Sequence, residues 1–161
     1  MPSQAKSIRA TPAKILLVDG HRAGVRARCM VLEEQGHRAT GVSSPDEALL
    51  LLKTESFDVI ITEYKLSGTT TGPEFITKLR TVAAGTPVIL LSGYVDALGL
   101  NERSTGADVV LMKNALETSH LTHTVSRMLR MKPAVTRARR KPPASDTEPL
   151  RNAPRRTGTN L

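Results

Sequence analysis

A chain of 161 residues with 39% hydrophobic and 2% aromatic content has room for one core, built from aliphatic side chains, and little room for two. Its net charge of +8 is carried by the ends: residues 1–12 hold +2 and residues 132–161 hold +6, while residues 13–131 hold thirteen charges of each sign. The high isoelectric point therefore gives no evidence for a basic binding face on the folded part.

Residues 1–12 are polar, include Pro2 and Pro12, and are expected to form a disordered arm. Lys14-Ile15-Leu16-Leu17-Val18 reads as a buried strand ending at Asp19-Gly20. A helix is expected from about Arg22 to Gln35, with Val25, Cys29 and Leu32 on its apolar side and Gly36 as its stop. Arg38 to Val42 makes a short second strand. Ser44-Pro45-Asp46-Glu47 then combines a Ser cap, Pro in the first helical position and Glu three residues after the Ser. The helix it opens is expected to run to about Thr54 and to bury Ala48, Leu49 and Leu52.

Phe57-Asp58-Val59-Ile60-Ile61-Thr62-Glu63 is a third strand with an apolar centre and a carboxylate at its end. A helix beginning at Pro73 is expected to bury Phe75, Leu79 and Val82 and to end at Gly85. Pro87 to Leu91 is a fourth strand, ending at Ser92-Gly93-Tyr94. A weak helix is expected over Ala97 to Arg103, and a fifth strand over Asp108 to Met112, ending at Lys113. Asn114 and Glu117 form a second capping pattern before a last helix that buries Leu121, Val125, Met128 and Leu129. Residues 13–131 are thus expected to be one domain of five strands alternating with five helices, a three-layer α/β/α arrangement around a doubly wound parallel sheet. From Lys132-Pro133 onward the composition turns to Arg, Pro, Ala, Ser and Thr without periodicity, as in a disordered basic tail over 132–161.

Four strands end on Asp19, Glu63, Ser92 and Lys113. In open α/β sheets ligands bind just beyond the carboxyl ends of the strands, so this rim is the candidate site. Two carboxylates, a hydroxyl and an ammonium there can hold a cation, orient a phosphoryl group, or close into an ion-pair network. The segments Ile15–Asp19, Asp58–Glu63, Pro87–Gly93 and Gly106–Lys113 follow one another in the order and at the spacing of a known family. The chain from Lys14 to about Met131 resembles the receiver domain of two-component response regulators.

The resemblance implies a flavodoxin-like sheet of order 2-1-3-4-5. It also implies that the residue ending the third strand accepts a phosphoryl group from a histidine kinase. Acids after the first strand would hold Mg²⁺, a hydroxyl after the fourth would contact the phosphoryl group, and a Lys after the fifth would pair with it. Asp19, Ser92 and Lys113 match three of these roles. The sequence departs from the family elsewhere. The acceptor position holds Glu63, whose extra methylene would displace an acyl phosphate by about 1 Å, a shift that costs roughly 100-fold in a positioned reaction. Gly20 replaces the second acid, which leaves Asp19 and Glu63 as the remaining candidate metal ligands and predicts weak or absent Mg²⁺ affinity. His21 adjoins that gap, but imidazole suits magnesium poorly. Val110 stands at the position of the switch aromatic, Asn114 follows Lys113 in place of Pro, and the loop Gly68–Gly72 is one residue longer than usual.

These departures predict an atypical receiver, a non-enzyme acting through protein contacts; the resemblance implies that the contact surface is that of the fourth helix, fifth strand and last helix. An ion pair from Glu63 to Lys113 would hold its rim closed. Two other readings are a working phosphoreceiver served by a histidine kinase and a nucleic-acid-associated protein using the run Arg137–Lys141. Gly68–Gly72 lacks the Lys and hydroxyl of a phosphate-binding loop, and His37, His120 and His123 lack zinc-ligand spacing. Cys29 reads as a packing residue. With one cysteine, no apolar signal region and no stretch of membrane-spanning length, the chain is expected to be cytoplasmic and to have no membrane partner.

Overall fold

Strong capping signals and continuous apolar runs are realised as regular elements in the computed structural model, which describes residues 12–131. In chain order these are β1 (Lys14–Val18), α1 (Arg22–Glu34), β2 (Arg38–Val42), α2 (Pro45–Leu52), β3 (Val59–Glu63), α3 (Gly72–Val82), β4 (Val88–Ser92), α4 (Val95–Leu98), α5 (Glu102–Thr105), β5 (Val109–Met112) and α6 (Glu117–Met131). All strand pairs are parallel, as the sequence predicts, and the sheet order is β2-β1-β3-β4-β5, the flavodoxin-like order the resemblance implies. The expected arm over 1–12, apart from Pro12, and the expected basic tail lie outside the described residues. Among the described residues no helix is long and apolar enough to cross a membrane.

The strand period of two divides the core. Ile15, Leu17, Val59, Ile61, Ile89 and Leu91 face one side, where Val25 and Leu32 of α1 and Leu121 and Val125 of α6 cover them. Leu16, Val18, Ile60, Val88 and Leu90 face the other, under Ala48 of α2 and Phe75, Ile76 and Leu79 of α3. Each fully buried aliphatic side chain contributes roughly 1.5–3 kcal/mol, so a scarcity of aromatic residues is no obstacle to this fold. Cys29 packs half-buried against the α1 side, and burial, helped by the charge of Glu33, pushes its thiol above the usual value.

Two glycines mark close approaches. A Cβ on Gly41 of β2 would lie 2.2 Å from Val25 Cγ1, so α1 packs onto this strand only because the side chain is missing. At Gly72 a Cβ would meet Leu90 Cδ1 at 2.7 Å and the Glu63 carbonyl oxygen at 2.8 Å. That glycine seats the start of α3 against the end of β3, with Gly72 N donating to the Tyr64 carbonyl at 2.6 Å. The loop Gly68–Gly72 serves this turn: Thr71 caps α3 in a reciprocal box with Glu74, and Lys65 bridges to Thr71. At α2, Ser44 Oγ accepts from Glu47 N at 3.2 Å, whereas the Glu47 carboxylate accepts from Ser43 N, one residue earlier than a reciprocal box requires.

Several expectations need correction. The segment read as one weak helix over Ala97–Arg103 is two short helices: Gly99, at φ 59°, ends α4, and Asn101 caps α5 through Ser104. Among the described residues the helical segments are therefore six. Val82 is exposed, because α3 is spent by that turn, and Leu49 and Leu52 are only half-buried. Asn114 Oδ1 accepts from Leu116 N, and the Glu117 side chain turns away from the expected cap.

Candidate functional site

At the carboxyl ends of β1, β3 and β5 the side chains of Asp19, Glu63 and Lys113 meet. Lys113 Nζ donates to Asp19 Oδ2 at 2.9 Å and pairs with Glu63 Oε2. The side chains of Asp19 and Glu63 are 8% and 9% exposed, so their charges depend on partners supplied by the protein. The extra methylene of Glu63 lets its carboxylate fold back over the end of its own strand, where Oε1 accepts from Tyr64 N at 2.8 Å. Both of its oxygens are engaged.

Asp19 is held still more fully. Its Oδ1 accepts from His21 N at 2.8 Å, and its Oδ2 accepts from Arg28 Nη1 at 3.2 Å as well as from Lys113. Arg28 reaches across from α1, and its Nε pairs with Glu117 at the start of α6. Glu63, Lys113, Asp19, Arg28 and Glu117 thus form one chain of alternating charge from β3 to α6. Burial opposes the Arg28 charge, but the hydrogen bond and charge of Glu117, with the charges of Asp19 and Glu63, hold the guanidinium above its ordinary value.

Ser92 lies at the same rim but outside this network. It is fully buried, and its Oγ accepts from Tyr94 N at 3.0 Å, which closes the turn after β4. Tyr94 in turn lies under Lys65, whose Nζ is 4.1 Å from the ring centroid, so a cation–π contact spans the loops after β3 and β4. Val110 packs, half-buried, against the α3 side of the core. His21 is the N-cap of α1, with Nδ1 accepting from Gly24 N at 3.1 Å. Arg28, Glu117, Lys65 and Tyr94 are the participants that sequence reasoning missed. Tyr94 closes the segment Ser92-Gly93-Tyr94, whereas Arg28 stands on the flank of α1, away from the strand ends.

The resemblance implies a divalent ion beside Asp19, and the residues present do not fit one. Magnesium needs oxygen ligands in near-octahedral array. Gly20 offers no side-chain oxygen, both Glu63 oxygens are taken, and each Asp19 oxygen already accepts from protein donors. Among the described residues no group of three His, Cys, Asp or Glu side chains could hold a metal ion.

A doubly wound sheet with acidic and basic side chains gathered at the carboxyl ends of β1, β3 and β5 defines a class of signalling module. The profile of the response regulator receiver domain matches residues 15–126, and the chain belongs to that family. The two-component response regulator ORR42 of Oryza sativa subsp. japonica is 32% identical over 117 residues, 71% of this chain and 83% of that protein. The virulence sensor protein BvgS of Bordetella pertussis is 28% identical over 123 residues, which are 68% of this chain and only 10% of that much longer protein. Among solved structures, the receiver domain of the Francisella response regulator 1452 is similar at a TM-score of 0.66 and 26% identity, covering 73% of this chain and 97% of that one. The chain is thus a receiver domain of two-component signalling, and such domains are generally non-enzymatic signalling modules.

Proposed function

We propose that this receiver acts through protein contacts without phosphorylation of the usual kind, presenting one fixed surface to a signalling partner. The observation that carries this reading is Lys113 Nζ standing between Asp19 and Glu63. An ammonium pairs there with the side chain at the acceptor position, and the acceptor's second oxygen is held by Tyr64 N. Phosphoryl transfer to Glu63 would have to break both contacts. The surface proposed for the partner is β5 with the flanking α4 and α6, where Leu98, and Leu116 just before α6, are exposed. Val110 within it offers no aromatic ring to reorient. A histidine kinase remains a fitting partner by family membership; binding nucleic acid through the basic tail rests on residues outside those described.

The test is labelling by acetyl phosphate or phosphoramidate with Mg²⁺. The wild-type chain is expected to take no stable label, and Gly20→Asp/Glu63→Asp is expected to take it. A Cβ on Gly20 would meet only the Ser43 carbonyl oxygen, at 3.9 Å, so the substitution fits the backbone. Stable, Mg²⁺-dependent label on wild-type Glu63 overturns the reading and makes this a working phosphoreceiver.

A further inference from the structure

We infer that the Arg28 guanidinium is the resident cation of this rim, standing against Asp19 in place of a divalent ion. The inference rests on the reading of the site given above and adds to it the reason that metal is refused. Three observations carry it.

Arg28 is anchored at two points by carboxylates from different elements. Nη1 donates to Asp19 Oδ2 at 3.2 Å and Nε pairs with Glu117. The three side chains are 15%, 8% and 16% exposed, which places the contact well inside the surface. A guanidinium has its donors in a rigid fork and stays charged at any ordinary pH, so it can serve as a permanent counter-ion where a lysine would be mobile.

The seat is also prepared in the sequence. Gly24 lies one turn before Arg28 on α1, and a Cβ there would be 2.7 Å from Arg28 Nη1 and 2.9 Å from His21 Nδ1. A glycine inside a helix is destabilising relative to alanine. Here its missing side chain leaves the space in which the guanidinium lies back towards Asp19.

Charge completes the case. Asp19, Glu63 and Glu117 set three negative charges against the two positive charges of Arg28 and Lys113, leaving a residual of one. A magnesium ion entering beside Asp19 would overcompensate this residual and would have to displace a cation already hydrogen-bonded to Oδ2. Because Arg28 also grips Glu117, the same contact ties α6 to α1 and to the end of β1. The relation of these elements is then set without metal.

The experiment is a Mg²⁺ titration of the full chain with no phosphodonor present. It is followed by the backbone amides of His21 and Tyr64, whose N–H groups bond Asp19 and Glu63 directly. Tyrosine fluorescence gives a second signal, since Tyr64 and Tyr94 both border the rim and the chain has no tryptophan. Arg28→Ala is expected to bind Mg²⁺ at least about tenfold more tightly than the wild type. Gly24→Ala, which removes no charge and favours the helix, is expected to shift affinity the same way by less. An Arg28→Ala titration that matches the wild type, whether both bind or neither does, overturns the inference. Should Arg28→Ala fail to fold, Gly24→Ala decides: tighter binding supports the seat, and an unchanged titration overturns it. The two readings fail separately. Label on the wild type defeats the proposed function whatever the titration shows, and an unchanged titration defeats the role of Arg28 even if the wild type takes no label.

Discussion

The two ends of the sheet use the same residue types for different purposes. At the amino end, Asp58 and Asp108 immediately precede β3 and β5, and each accepts from the first N–H of the neighbouring strand. Lys14 N donates to Asp58 at 2.8 Å and Val88 N donates to Asp108 at 2.7 Å. These carboxylates replace ladder bonds that the strand starts would otherwise lack. Their cationic neighbours stand partly in water: the Arg80–Asp108 pair is 37% and 45% exposed, and the Lys14–Glu55 pair 38% and 43%. At the carboxyl end Asp19 and Glu63 are buried, and Arg28 and Lys113 each pair with two carboxylates. Burial, not the residues themselves, separates a strand staple from a charge network.

The sharpest way to break the comparison is Lys113→Met. It leaves Asp19 and Glu63 facing each other at the rim with only Arg28 and backbone N–H groups as partners. Removing one partner from a buried ionic cluster leaves uncompensated charge, and the expected loss is about 3 kcal/mol of unfolding free energy. Urea denaturation at neutral pH measures it. A loss below about 1 kcal/mol, the range of an exposed pair, would mean that water reaches the two carboxylates and that the ends do not differ in kind.

The matching change at the amino end is Asp108→Ala. It strips Val88 N of its acceptor and Arg80 of its ion-pair partner, but Asp108 is itself exposed, so water can enter where its carboxylate stood. The expected cost is about 1 kcal/mol, read by the same denaturation experiment. A cost equal to that of Lys113→Met would erase the distinction.

The fold was legible because its signals are local. Apolar runs of four to five residues, Gly36 beyond α1 and the Ser44-Pro45 start of α2 each declare an element without reference to the rest of the chain. The break between α4 and α5 is also written locally, in Gly99 and the Asn101–Ser104 box. The rim was legible only in part. Asp19, Glu63 and Lys113 announce themselves by standing at strand ends, and the structure brings those three together. Arg28 does not. It sits on the flank of an amphipathic helix, where a basic side chain reads as solvated, and its partner Glu117 is 89 positions away and resembles a capping residue. Ser92 shows the converse: a strand-end hydroxyl whose place is right but whose Oγ is turned into its own loop. Pairing across the sheet depends on crossover geometry, which no spacing along one segment encodes.

The smallest expected effect lies at the amino end, on His37 between α1 and β2. Burial holds its imidazole below the usual value, with the charge of Asp58 acting in the opposite sense, and its Nδ1 is buried without a hydrogen-bond partner. The unfolded chain takes up this proton near pH 6.5 and the folded chain only at lower pH, so between the two values the unfolded state holds more protons. The contribution of His37 to stability is therefore full above about pH 6.5 and declines as pH falls through the folded value. Replacing His37 with Gln, which does not titrate, should flatten the fall in denaturation midpoint between about pH 7 and pH 5. An identical slope in the variant would show that the imidazole reaches water in the folded chain. A buried, unpaired group at this end would then no longer stand beside the hydrated carboxylates as its exception.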